Sequence, residues 1–270
     1  MKYDKKTKIR RKGKYDAFLY IIEILLIIFI IILIWKIVSY LIDGKKSSSF
    51  SKALQNSVII MDEGEHEDSE AVQERDAQES EKARIPIAID FYSLYEISKD
   101  AVAWLYAPDT EINYAVAQAE DNDYYLHRLL NGVSASGGTL FTDCRNDAGF
   151  TDWNTVIYGH NMKNGTMFAS LMDYRIPGYY EEHPTMYLYM PGHRYKLELI
   201  AGYTTNINDV IYSIPATKEE RDEIIDHANM VSSFMSGIAI GDEDKLVTLS
   251  TCSYAYNDAR YVVIGRTVEE

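Results

Sequence analysis

Hydrophobic positions follow three regimes along the chain. From Ala17 to Ile42, "AFLYIIEILLIIFIIILIWKIVSYLI", 26 residues are interrupted only by Glu23, Lys36 and Ser39. As a helix this stretch reaches about 39 Å, enough to cross a hydrocarbon core of roughly 30 Å with some tilt. It predicts a transmembrane anchor over 17–42 behind a basic tail over 1–16. Residues 43–84 then turn polar, with ten acids between Asp62 and Glu81. Such a composition cannot bury enough apolar surface to fold alone, so it reads as an acidic flexible linker.

From residue 85 to 270 the pattern is that of a globular domain. "IDFYSLYEISKDAVAWLYAP" spaces its apolar residues at broadly helical intervals with a break near Ser98 to Asp100, which predicts two short helices. Short apolar runs follow, separated by turn residues: "INYAVAQ", "GTLFTD", "NTVIYGH", "TMYLYMPG", "RYKLELIAGYTT", "KLVTLSTC" and "RYVVIGRTV". With few helices between them, they predict a mainly β, antiparallel sheet closed on itself. One helix interrupts the late strands. In "TKEERDEIIDHANMVSSFM", Thr217 and Glu220 form a capping-box pattern and Ile224, Ile225, Ala228 and Val231 recur at helical spacing.

Charge adds an orientation. Eight Lys/Arg precede the apolar segment against Asp4 and Asp16, and only Lys45 and Lys46 follow closely, so the tail belongs in the cytoplasm and the domain outside. A cleaved signal peptide would have a shorter apolar core and a small-x-small site, which "SYLIDGKK" lacks. Residues 1–46 hold 11 Lys/Arg and 4 Asp/Glu, leaving 16 against 37 for the rest. A head this acidic is a poor partner for nucleic acid.

Chemistry concentrates near the C terminus. There are two cysteines, Cys144 and Cys252, and an outward-facing domain would permit them to pair, although two cysteines make no framework. If "KLVTLSTC" and "RYVVIGR" are antiparallel neighbours joined by "SYAYNDA", Cys252 and Arg260 stand opposite each other with Cβ atoms about 4.5–5.5 Å apart. A thiol used for packing gains nothing from a cation beside it. A nucleophile does: the guanidinium can favour the thiolate and hold a carbonyl oxygen as charge develops there. Of six histidines, His66 falls in the linker and His183, His193 and His227 among turn or helix-surface residues, whereas His127 follows two tyrosines in a structural setting. His160 differs, ending the strand "NTVIYGH" before a loop rich in Asn and Gly, where a strand projects its imidazole at the end of the sheet. His160 with the two cysteines supplies too few ligands for a metal site, and no cofactor is implied.

"NTVIYGHNMKNGTMF", then "TLSTC" about ninety residues later, then "RYVVIGR", closely resembles the sortases, membrane-anchored cysteine transpeptidases of Gram-positive bacteria. "YGHNMKNGTMFASL", the upstream "NDYYLHRLLNG" and "GTLFTDCRN", and the helix inserted before the cysteine strand are similar to class B, over residues 90–270. The resemblance implies an eight-stranded β-barrel with His160, Cys252 and Arg260 at one end. It implies that Cys252 attacks the Thr carbonyl of a sorting signal of Asn-Pro-x-Thr or Ser-Pro-x-Thr type, that His160 protonates the leaving amine, and that Arg260 holds the oxyanion. The partners it implies are surface proteins bearing that signal and an amine of a peptidoglycan precursor or a pilin lysine. Asn113, Ser250, Ile211 and Tyr212 are its implied substrate contacts. Ala115 stands where the class usually carries Pro, behind Asn113. Two other readings stay open at this point: a cysteine protease or hydrolase that needs no amine acceptor, and a tethered binding module with no enzymatic activity.

Overall fold

The computed structural model describes residues 5–60 and 87–270, and the chain divides into two units, Met1–Lys46 and Ser47–Glu270. The first is the apolar part of helix α1 (Lys5–Val58). Among the described residues this helix alone is long and apolar enough to cross a membrane, and its large side chains from Phe18 to Val38 are exposed.

The second unit begins earlier than the composition predicts. Helix α1 continues through "SSSFSKALQNSV", where Phe50, Leu54 and Val58 recur every four residues and so share a face. Leu54 and Val58 are buried among Leu94, Trp104, Ala115 and Tyr125. Strand β1 (Ile59–Ile60) pairs with β2 (Ala88–Ile89), and Asp90 N–H donates to Val58 O at 2.8 Å. Residues 47–60 therefore belong to the folded head rather than to the linker expected over 43–84. The rest of that linker, 61–84, lies outside the described residues.

Eight strands close into a barrel in the order β10–β8–β7–β3–β4–β5–β6–β9. They are β3 (Ala101–Tyr106), β4 (Asn113–Ala117), β5 (Leu140–Thr142), β6 (Asn154–Tyr158), β7 (Thr185–Met190), β8 (His193–Asn206), β9 (Leu246–Cys252) and β10 (Ala259–Glu269). Two expectations need correction. Of the two predicted helices only the first exists, α2 (Phe91–Ile97), capped by the Asp90 side chain on Ser93 N–H. The second is strand β3. Ala101, Ala103, Trp104 and Leu105 are all buried, so "AVAWLY" lacks the alternation that marks a half-buried strand. The sheet is also not purely antiparallel, because β4 with β5 and β6 with β9 run parallel.

The barrel interior holds Leu105, Val116, Leu140, Ile157, Leu188, Leu199, Leu249 and Val263, each about 1.5–3 kcal/mol of transfer free energy when fully buried. After a short α3 (Tyr179–Glu182), helix α4 (Lys218–Val231) packs Ile224 and Ala228 on the outer face of β8 and β10, against Tyr203 and Val262. Half of its capping box is present: Thr217 Oγ1 accepts from Glu220 N–H at 3.3 Å, whereas Glu220 Oε2 reaches one residue further back and accepts from Ala216 N–H at 2.7 Å.

Candidate active site

The parallel pair β6 and β9 sets Tyr158 beside Ser250, so the chain leaving β6 and the end of β9 continue side by side. Three hydrogen bonds stitch these ends together, and a fourth closes the loop after β6 on itself. Gly159 N–H donates to Ser250 O at 3.1 Å, and Thr251 Oγ1 donates to Gly159 O at 2.8 Å. Asn161 Nδ2 donates to Cys252 O at 3.0 Å, and Phe168 N–H donates to His160 O at 2.9 Å. Glycine is required at 159, since an added Cβ would stand 2.5 Å from Leu140 Cδ2 and 2.6 Å from Phe168 Cδ2. The close approach brings the His160 segment against the barrel end.

On the other side of β9, Cys252 and Arg260 are directly paired, as the hairpin reading required. Both are half-buried, and no disulfide forms, since Cys144 and Cys252 are both free. Arg260 Nη1 donates to Ala259 O at 3.1 Å, and no carboxylate pairs with this guanidinium among the described residues. Its donors are thus available to an oxygen bound near the thiol.

His160 is fixed from the long segment between β4 and β5. Its Nε2 lies 2.8 Å from Leu126 O. A carbonyl only accepts, so Nε2 carries the proton and Nδ1 is the lone-pair nitrogen of the neutral ring. The His127 ring stacks on it at 5.4 Å between centroids and 16° between planes. Burial lowers the His160 pKa; the Leu126 hydrogen bond opposes this, and the neighbouring His127 adds to the lowering. Residue 138 supports the arrangement: Gly138 has φ +60°, and a Cβ there would come within 2.5 Å of both Leu126 O and Tyr125 O. Only glycine accepts that conformation without strain and leaves the carbonyl in place.

His160, Cys252 and Arg260 line one groove of about 310 Å³ together with Ser250, Tyr212, Leu126, Asn122, Tyr158 and Ile207. Tyr212 OH and Ser250 Oγ share a hydrogen bond of 2.8 Å, and burial pushes the Tyr212 phenol up to about 12. Two expected contacts lie elsewhere. Asn113 does not line the groove: its Oδ1 accepts from Trp104 Nε1 at 2.7 Å and its carbonyl from Gln55 Nε2 at 2.7 Å, which ties it to the end of α1. Ile211 is fully buried among Ile200, Ile224 and Leu246, facing core rather than groove. Conversely, Leu126, Asn122 and the Asp143–Arg145 pair enter the site without having been singled out, and His127, read as structural, stacks on the His160 ring. Leu126 acts through its carbonyl, which no side-chain pattern reveals.

A sortase domain model matches residues 105–268. The chain belongs to the sortase family, class B. It is 35% identical to sortase B of Listeria monocytogenes over 207 residues, covering 75% of this chain and 83% of the relative. With sortase B of Staphylococcus aureus it shares 29% over 260 residues, covering 95% and 99%. Among solved structures, sortase B from B. anthracis in complex with AAEK1 aligns with a TM-score of 0.69 at 28% identity, covering 85% of this chain and all of that one. The Staphylococcus aureus sortase B–substrate complex aligns at 0.62 and 30%, covering 66% and 84%. This class B sortase is accordingly a cysteine transpeptidase, and the reading as a non-enzymatic binding module falls away.

Proposed function

We propose that this sortase is a membrane-anchored extracellular enzyme that cleaves a C-terminal sorting signal after Thr and transfers the protein to an amine of a cell-wall precursor or a pilin. Cys252 Sγ attacks the Thr carbonyl carbon, and Arg260 stabilises the oxygen as it becomes negative. The C–N bond breaks, and His160 gives the departing amine, from Nδ1, the proton it took from the Cys252 thiol, while Nε2 keeps its bond to Leu126 O. The incoming amine then attacks the thioester, the C–S bond breaks, and His160 takes the proton released. Because thiol and imidazole exchange a proton, they titrate as a unit.

The observation that carries this reading is the single groove lined by Cys252, Arg260 and His160, from two adjoining hairpin strands and the end of a parallel neighbour. Ser250 and Tyr212 extend its wall away from the thiol as surfaces for the signal peptide. The anchor reading rests on the apolar part of α1 and on the basic tail before it, with the acidic head outside.

The test is to incubate the detergent-solubilised full chain with Asn-Pro-x-Thr and Ser-Pro-x-Thr peptides and weigh the protein. A mass gain mapping to Cys252, absent in Cys252→Ala and discharged by an added amine, is the expected result. An adduct that water discharges equally fast with and without amines points instead to a hydrolase.

A further inference from the structure

Where β5 leaves the barrel, the chain reads Thr142, Asp143, Cys144, Arg145. The Asp143 side chain is 1% exposed, yet it is a carboxylate. Arg145 answers it bidentately, with Nε to Oδ1 and Nη2 to Oδ2 each at 2.8 Å, and Tyr158 OH donates to Oδ2 at 2.9 Å. Burial acts to raise the Asp143 pKa, but the Arg145 hydrogen bonds and charge outweigh it and hold the group at about 2.

The pair does more than satisfy itself. Arg145 Nη2 also donates to the main-chain carbonyl of Tyr212 at 3.0 Å. The Tyr212 ring stacks on that of Tyr158 at 6.2 Å and 17°. Asp143, Arg145, Tyr212 and Tyr158 therefore form a closed circuit: ion pair, hydrogen bond, stacked rings, hydrogen bond. Of these, Tyr212 carries its side chain into the groove, where its OH meets Ser250 Oγ. Tyr212 ends the single turn Val210–Tyr212, in the connection from β8 to α4. Asn154 holds that turn from the core side through Ile211 O at 2.9 Å, and Arg145 holds it from the groove side.

Exposed ion pairs contribute roughly 0–1 kcal/mol, too little for a bare stability role to explain a guanidinium shared between two segments. Here one partner is buried and the geometry is a fork fitted to a carboxylate and a carbonyl at once, which a lysine cannot reproduce. We infer that Arg145 is a positioning residue for substrate recognition: clamped by Asp143, it fixes the Tyr212 carbonyl and so the ring that walls the groove above Ser250. It sets how tightly the sorting signal is held and takes no part in bond-making at Cys252.

This inference rests on the transpeptidase reading and is tested in the same assay. Full-chain Arg145→Ala and Arg145→Lys are compared with the parent on quenched Asn-Pro-Ala-Thr and Ser-Pro-Ala-Thr peptides, with triglycine as acceptor. The expected result is a KM for the peptide raised tenfold or more in Arg145→Ala, with kcat and the KM for triglycine within threefold and a partial return in Arg145→Lys. Alkylation of Cys252 by iodoacetamide, which needs no groove wall, should keep its parent rate. If Arg145→Ala does not fold, the double variant Asp143→Asn/Arg145→Gln, which removes the buried charge with its partner, decides by the same KM. A peptide KM within twofold of the parent, or a fall in kcat at constant KM, overturns the inference. A parent chain that forms no adduct at Cys252 overturns the transpeptidase reading, and this inference with it.

Discussion

The carbonyl of Leu126 accepts the Nε2 proton of His160 at 2.8 Å, so a backbone atom on the long β4–β5 connection decides which imidazole nitrogen is free. That carbonyl in turn depends on Gly138, where any side chain would meet it at 2.5 Å. Gly138→Ala is expected to displace the carbonyl and lower kcat/KM by roughly 10- to 100-fold, the scale of a misplaced catalytic group. The positive φ adds a stability loss of about 1–3 kcal/mol. Peptide-cleavage kinetics beside a thermal melt check this, and a variant with parent kinetics would show that the carbonyl does not set the ring.

Stacked against His160, His127 lowers the pKa of its neighbour in the same direction as burial does. Removing it in His127→Ala should raise the His160 pKa, moving the pH–rate limb of the Cys–His pair toward higher pH. His127→Phe keeps a ring against His160 without the charge and should give a smaller change in burial. A limb that stays in place or moves down in both variants contradicts the coupling. The same depression has a stability consequence: the unfolded chain binds the His160 proton more readily, so stability falls as pH drops from the ordinary 6.5 toward the lower folded value. His160→Gln should remove that component from a pH series of melts.

A soluble fragment cut at residue 85, the boundary composition suggests, should be markedly less stable than one cut at 47. It loses Leu54 and Val58 from the core around Trp104, about 3–6 kcal/mol of burial, and the Gln55 hydrogen bond to Asn113. The expected difference in Tm is roughly 10–20 °C for a domain of this size. Equal melting temperatures would show that the end of α1 adds nothing.

Cys144 follows β5 in a turn, its N–H bound to Asn122 Oδ1 at 2.8 Å, and its thiol is free. Cys144→Ser should therefore leave peptide kcat/KM within about twofold, with the acyl adduct still on Cys252. An activity lost on this change and recovered by no reductant would assign the second thiol a role in the groove.

The pairing of Cys252 with Arg260 was legible because cysteine is scarce and the spacing is fixed by a hairpin: with two cysteines in the chain, the loop after Cys252 placed Arg260 opposite it, and the register agrees. Asn113 and Ile211 were misplaced for a physical reason. Strand β4 is buried on both faces, and a core turn and a groove turn share the same apolar spelling, so alternation cannot say which way such side chains look. The helix read at "AVAWLY" failed on the same double burial. Leu126 had no signal at all, whereas Asp143 and Arg145 had one: two opposite charges directly after a fully buried strand, where a lone carboxylate needs a partner.

The seam between β6 and β9 joins residues some ninety positions apart, and β10 pairs with the other side of β9 to bring Arg260 opposite Cys252. The groove is thus assembled from stretches far apart in sequence, and no single segment carries it. With β10 undocked the thiol lacks its cation, and with the β6–β9 seam open it stands away from the imidazole, so the reactivity of Cys252 is tied to closure of the barrel.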